Sequence, residues 1–353
     1  MKTKSTREKR TTIYDIAKAA GTSTATVSRV LSNSEYPISD EMRNRVLNSA
    51  KQLHYSPNLV GRTLKKKQSH DIGVIIPNIS NPFYSQLILG IEKEARDRGF
   101  NILLCNSYRN AEYENNAIEL MYQKQVDGIL LSTICDEHRL LRNLTEIGLK
   151  VVCLDQNVDD LECNRVGFDF SEGSILAIDY LFSLGHREIG FATTPLKRKS
   201  RTEIFNGYKQ GLIKNSIPYN EEYLFISEIE KETGEGTFEF EIGIDLARKC
   251  AELKRMPTAI LAVNDITAMG LIQGFNLLGI NVPNDISIVG FDNIEFSSMC
   301  NPPLTTIDQP SFNTGRIACK ILIDDIENKS NDVVAIKLEP RLIKRSSTVR
   351  MVN

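Results

Sequence analysis

Residues 11–64 read TTIYDIAKAAGTSTATVSRVLSNSEYPISDEMRNRVLNSAKQLHYSPNLVGRTL. Thr12 is placed to cap a first helix, and Asp15, three positions on, closes a capping box. Ile13, Ile16, Ala17 and Ala20 recur at helical spacing. Gly21 permits the left-handed backbone that ends a helix. Ser23 caps a second helix, with Val27, Val30 and Leu31 turned inward. That leaves Thr24, Ala25, Ser28 and Arg29 pointing out. A helix presented by its N-terminal end can enter the major groove of DNA and read base edges. Arg29 is the candidate for a guanine, because its fork matches two acceptors on that base. Two short helices alone would equally make a small bundle with no ligand.

The next segments tip that balance. Ser39 caps a third helix, and Asp40 and Glu41 in its first turn suit the positive end of the helix dipole. Val46, Leu47, Ala50 and Leu53 are expected to form its buried stripe. Tyr55-Ser56-Pro57 stops it, and Pro57 can open a further short helix with Ser56 as cap.

Charge agrees with the motif. Residues 1–70 carry 14 Lys+Arg against 5 Asp+Glu, and the remainder 29 against 40, although the whole chain of 353 residues has a net charge of only −2. A basic patch that coincides with helix-turn-helix patterning is the footprint of a DNA binder. Residues 1–10, MKTKSTREKR, read as a charged, disordered arm with no apolar core of a signal peptide.

From Asp71 the pattern becomes alternating strand and helix, which argues for parallel, doubly wound sheets. IGVIIP, NILLCNS, DGILLST and KVVCLD are strands of one lobe. REIGFAT, EYLFIS, PTAILAV and DISIVGF are strands of a second. Helices are expected at 203–215, about 241–255 and 265–279. KETGEGTFEFE at 231–241 reads as a solvated loop. The seven cysteines are scattered without a C-x-x-C pair, which fits reduced thiols of a cytoplasmic protein. The four histidines lack metal-ligand spacing, and no cofactor is implied. No apolar run reaches membrane-spanning length. Neither G-x-x-x-x-G-K-[ST], G-x-S-x-G nor H-E-x-x-H appears, so no enzyme class is indicated.

TIYDIAKAAGTSTATVSRVL, RNRVLNSAKQLHYSPNLVGRTL, IGVIIPNISNPFYSQLILGIE, GHREIGF, PTAILAVNDITAMG, VPNDISIVGFDN and PPLTTIDQP resemble, in order, the lactose-repressor/galactose-repressor family of bacterial regulators. The likeness covers nearly the whole chain. It implies an N-terminal all-α helix-turn-helix headpiece plus an α/β two-lobed periplasmic-binding-protein-like domain. The expected organisation is a basic arm at 1–10, a DNA-binding domain at 11–57, a hinge helix and linker at 58–70, and an effector-binding and dimerisation domain at 71–353. Within the last, lobe 1 is expected at about 71–168 plus 305–330, and lobe 2 at about 169–304 plus 331–353.

The resemblance also implies partners. These are double-stranded DNA with a pseudo-palindromic operator, a second copy of the chain, and a small-molecule effector such as a sugar or sugar phosphate. Thr24, Ala25 and Arg29 take the base-reading positions, Asn58 and Arg62 lie near phosphates, and Leu64 is the minor-groove wedge. The tail RLIKRSSTVRMVN has no leucine heptad, so a dimer rather than a tetramer is expected. Gly61 stands where the family usually has alanine, which costs up to about 1 kcal/mol in a helix interior. Gly61→Ala is therefore expected to tighten operator binding, and an unchanged affinity would refute it.

Open α/β sheets bind ligands at the carboxyl ends of their strands. There Asp155, Asn264 and Asp292 can hydrogen-bond sugar hydroxyls, with Phe83 and Tyr84 as an apolar wall. Each acidic or amide group can equally cap the next helix. Many sugar- and purine-binding members have an arginine three residues before the glycine of NGYKQG, where this chain has Ile204. Arg201 is near but out of register. Lys197, Arg198 and Lys199 form a basic loop that either receives a phosphorylated or acidic ligand or is merely exposed. The expected function is a repressor of carbohydrate-utilisation genes. One alternative is a global catabolite regulator with a phosphorylated phosphocarrier protein as corepressor. Another, of a different class, is a cytosolic sugar-binding or enzymatic α/β protein with a vestigial headpiece.

Overall fold

The computed structural model describes residues 11–32, 34, 36–55, 68–135, 137–154, 158, 161–228, 238–328 and 332–351. They form two compact units divided between Ser69 and His70. Asn58, Arg62 and Leu64, with Gly61, lie outside the described residues, as does Asp155.

The first unit holds α1 (Ile13–Ala20), α2 (Thr24–Leu31) and α3 (Asp40–Gln52). Its ends are set locally. The Thr12 backbone N–H donates to Asp15 Oδ2 at 2.8 Å, and Gly21 terminates α1 with a φ of 63°. Ser23 accepts from the Thr26 N–H at 3.1 Å and Ser39 from that of Met42 at 3.3 Å. Ile16, Ala17, Ala20, Val27, Val30, Val46 and Ala50 close the core. Leu47 and Leu53, expected inside, are exposed. With only two helices to pack against, α3 buries the narrow stripe Val46, Ser49 and Ala50.

The second unit begins β1 (Asp71–Ile76), α4 (Pro82–Asp97), β2 (Asn101–Asn106), α5 (Ala111–Gln123), β3 (Gly128–Leu131), α6 (Arg139–Glu146), β4 (Lys150–Leu154) and β5 (Asn164–Phe168). Next come α7 (Phe170–Ser183), β6 (Ile189–Thr193), α8 (Lys199–Lys214), β7 (Leu224–Ile226), α9 (Phe238–Ala251), β8 (Ala259–Ala262), α10 (Asp265–Leu277) and β9 (Ser287–Asp292). It closes with β10 (Thr305–Asp308), α11 (Ser311–Ile326), β11 (Ala335–Leu338) and β12 (Arg341–Ile343).

One sheet has the order β11-β5-β4-β3-β1-β2 and the other β12-β10-β9-β8-β6-β7. All pairings are parallel except β10 with β12. Buried side chains fill both faces of each sheet, as two-sided helix cover requires.

The division between lobes departs from expectation at two places. α11 does pack on the first lobe, against α4. However, β10 pairs with β9 in the second sheet, and β11 with β5 in the first. The chain crosses between sheets only past a strand's end, after β5, β10 and β11, so each strand stays whole within one sheet. Likewise 238–241 is not loop: Phe238–Glu241 form the first turn of α9, and Phe238 and Glu239 are buried. The rest of that stretch, 231–237, lies outside the described residues.

Among the described residues no helix is long and apolar enough to cross a membrane, and no cluster of side chains is placed to hold a metal ion. All seven cysteines are free thiols.

Candidate effector cleft and DNA-reading surface

The strand carboxyl ends of the second unit converge on one cleft. It is lined by Asn81, Phe83, Tyr84, Arg109, Phe170, Arg198, Ser200, Arg201, Ile204, Glu239, Val263, Asn264, Asp292 and Gln309. Phe83, Tyr84, Asn264 and Asp292 are thus brought together as expected from sequence.

Local chemistry positions each of them. Asn81 caps α4 through the Phe83 N–H at 3.0 Å, with Pro82 at the first helical position. This turns the Phe83 and Tyr84 rings, both buried, to the cleft wall. Asn264 caps α10, accepting from Thr267 N at 2.8 Å, so its capping role and its place in the cleft coexist. Asp292 ends β9 with a φ of 119° and accepts from Gln309 Nε2 at 2.8 Å. Such left-handed, non-glycine backbone is strained and concentrates at functional sites. Its neighbour Asn293 is turned away, tied to Asp308 at 2.8 Å and Arg345 at 2.7 Å. Asp265 is also structural: fully buried, it accepts from Ile294 N and the Ser297 and Thr306 hydroxyls.

Of the charged floor, Arg198 belongs to the basic loop read from sequence, whereas Arg109 and Glu239 were not expected. Arg109 follows β2 in a turn where both it and Tyr108 have positive φ, 60° and 53°. Its Nη2 donates to Glu239 Oε1 at 3.0 Å, joining the first lobe to the second; the two side chains are 5% and 6% exposed. Arg201 Nη2 lies 3.6 Å from the same oxygen, and Arg201 Nη1 donates to Pro195 O at 3.0 Å. Burial pushes the Glu239 carboxyl up, but Arg109, Arg201 and Arg198, with a hydrogen bond from Asn264, hold it below its ordinary value.

Ile204 is buried against the cleft, and Arg201 stands one helical turn before it. Residues three apart share a helix face. Arg201 is therefore in register with the cleft after all, and the i, i+3 relation was the signal that could have found it.

In the first unit, Thr24, Ala25, Ser28 and Arg29 share one stripe of α2. Ala25 and Arg29 are exposed, Thr24 and Ser28 half-buried. The Arg29 guanidinium lies over the Tyr36 ring, 3.9 Å from its centre.

A model for bacterial regulatory proteins of the lacI family matches residues 12–58, and one for a periplasmic binding protein-like domain matches 178–348. The HTH-type transcriptional repressor PurR of Pasteurella multocida is 33% identical over 341 residues, covering 95% of this chain and 98% of that protein. The chain belongs to the LacI family. Catabolite control protein A of Priestia megaterium is 34% identical over 340 residues, covering 96% of this LacI-family chain and 99% of that protein. The crystal structure of the lac repressor dimer bound to operator and the anti-inducer ONPF aligns with a TM-score of 0.84 at 27% identity. That alignment covers 97% of this chain and 100% of that one. This LacI-family member is a transcriptional regulator with an N-terminal helix-turn-helix and a two-sheet α/β effector domain.

Proposed function

We propose that the chain is a cytoplasmic, dimeric repressor without enzymatic activity. Thr24, Ala25, Ser28 and Arg29 read base edges. Asn58, Arg62 and Leu64 form the hinge contacts, and a small hydroxylated effector occupies the interlobe cleft. Phe83, Tyr84, Asn264, Asp292 and Asp155 contact that effector. One observation carries this reading: both lobes line a single cleft and are tied across it by Arg109 and Glu239. Filling the cleft changes the interlobe equilibrium by the ligand's differential affinity for the two lobe arrangements. Through the hinge this alters operator affinity, a coupling between distinct sites. The lac repressor structure, which holds operator and a small molecule together, supports the same assignment.

The test is selection of bound sequences from random duplex DNA by the purified protein, followed by titration of the selected site with a metabolite panel. A pseudo-palindrome with a central C·G step, bound with strong salt dependence, is expected. Sequence-independent binding alone, unchanged by every metabolite, would refute the reading.

A further inference from the structure

We propose that the effector carries an anionic group, and that Glu239 stands in for that group while the cleft is empty. This rests on the cleft being the effector site.

The geometry is that of an anion subsite with a tethered occupant. Arg109 and Arg201 both approach one oxygen of Glu239, and Arg198 lines the same floor. Arginine forks are suited to carboxylate and phosphate because two N–H groups meet two oxygens. Arg109 is nearly fully buried, yet its Nε and Nη1 have no hydrogen-bond partner among the described residues. One face of its guanidinium rests on the Phe238 ring at 4.3 Å. A buried donor left unmade costs its desolvation, and Glu239 takes only the Nη2 of Arg109. Glu239 and Asp292 together leave one positive charge over in the cleft lining. A phosphate, with more oxygens than Glu239, satisfies more of these N–H groups.

Space points the same way. With Glu239 in place the cleft has a volume of about 60 Å³, small beside the roughly 300 Å³ or more of small-molecule sites. A ligand anion that takes these guanidiniums displaces Glu239, so anion binding and loss of the interlobe pair are one event. The remaining lining defines the rest of the ligand. Asn81, Asn264, Asp292 and Gln309 suit hydroxyls, and Phe83 and Tyr84 suit an apolar ring face. The ligand class is thus a small polyhydroxylated molecule bearing a phosphate or carboxylate.

Calorimetric titration of the full chain with inorganic phosphate, against acetate and against chloride at equal ionic strength, tests the subsite. Phosphate is expected to bind the wild type, and to bind Glu239→Gln about tenfold more tightly because the competing carboxylate is gone. Arg109→Met is expected to abolish binding. Should that variant not fold, the comparison of wild type with Glu239→Gln decides alone. Glucose 6-phosphate and glucuronate, each against glucose, distinguish phosphate from carboxylate as the source of the anion. Equal phosphate affinity in wild type and Glu239→Gln, or glucose binding as tightly as its anionic derivatives, overturns the proposal. Operator affinity is followed in parallel. Neutral sugars that release operator while anions do not would sink the anionic subsite and leave the cleft reading intact. Anion binding with operator affinity unmoved would sink the cleft reading instead.

Discussion

Arg109 of the first lobe and Glu239 of the second, 130 positions apart in the chain, meet at 3.0 Å across the interlobe cleft. A buried pair of this kind adds little over apolar packing, but removing one partner strands the other charge. Glu239→Gln and Arg109→Met are each expected to lower stability to denaturant by about 3 kcal/mol. The double variant should lose less than the sum, because it leaves neither charge of the pair behind. A cycle with additive losses would show that the pair is not coupled.

Two buried carboxylates of the second lobe, Glu239 in the cleft and Asp265 beneath β9 and β10, respond oppositely to acid. Glu239 is held below its ordinary value, so its contribution is present above the ordinary carboxylate range and is lost as pH falls through its lowered folded value. Asp265 differs: burial raises its pKa from 3.8 to about 6 against the hydrogen bonds that stabilise its charge. Between those values the folded state binds the proton more strongly than the unfolded one, so Asp265 makes the protein more stable as pH drops from about 6 toward 4. The stability of the wild type relative to Asp265→Asn should therefore grow between pH 7 and pH 5 in thermal melts. A difference that stays flat across that range would contradict the assignment.

What the sequence made legible was what neighbours decide. Thr12 with Asp15, Ser23, Ser39 and Gly21 set helix ends within four residues of themselves, and each did so as read. Continuous apolar runs such as IGVII and AILA marked the inner strands. β5, with residues NRVGF, was missed because it mixes Asn and Arg with apolar residues, and β11 and β12 are short edge strands with charged side chains. The Arg109–Glu239 pair was missed for another reason, although Arg198 beside it had been read as part of a basic loop. Arg109 and Glu239 carry no local mark of their partnership, and the glycine- and glutamate-rich surroundings of Glu239 read as solvated loop. Asp155 and the hinge residues Asn58, Arg62 and Leu64 stay at the level of the sequence reading.

Gly243 sits one turn beyond Glu239 on α9, where that helix packs closely against α10. A Cβ at Gly243 would lie 2.3 Å from Thr267 O, and one at Gly270 would lie 2.1 Å from Phe240 O. Neither backbone oxygen can give way without moving its helix. Gly243→Ala is expected to destabilise by about 1–3 kcal/mol through overpacking and to draw Glu239 away from Arg109. Gly167→Ala is the control, since nothing lies within 4 Å of a Cβ there. Equal melting temperatures for the two variants would refute the close-packing argument.

Arg29 lies over the Tyr36 ring at 3.9 Å, on the exposed stripe of α2 that also carries Ala25. An exposed cation–π contact contributes about 0.5–1 kcal/mol, enough to bias a long side chain toward one orientation before it meets DNA. Preorganisation of this kind lowers the ordering cost of binding. On a selected operator, Arg29→Ala should lose about 1–3 kcal/mol and relax one base position. Tyr36→Ala alone should lose about 0.5–1 kcal/mol. In the Arg29→Ala background it should cost nothing further, because the ring then has no guanidinium to orient. An undiminished loss in that background would mean that Tyr36 contacts DNA on its own account, and full operator affinity in Arg29→Ala would remove Arg29 from the reading surface.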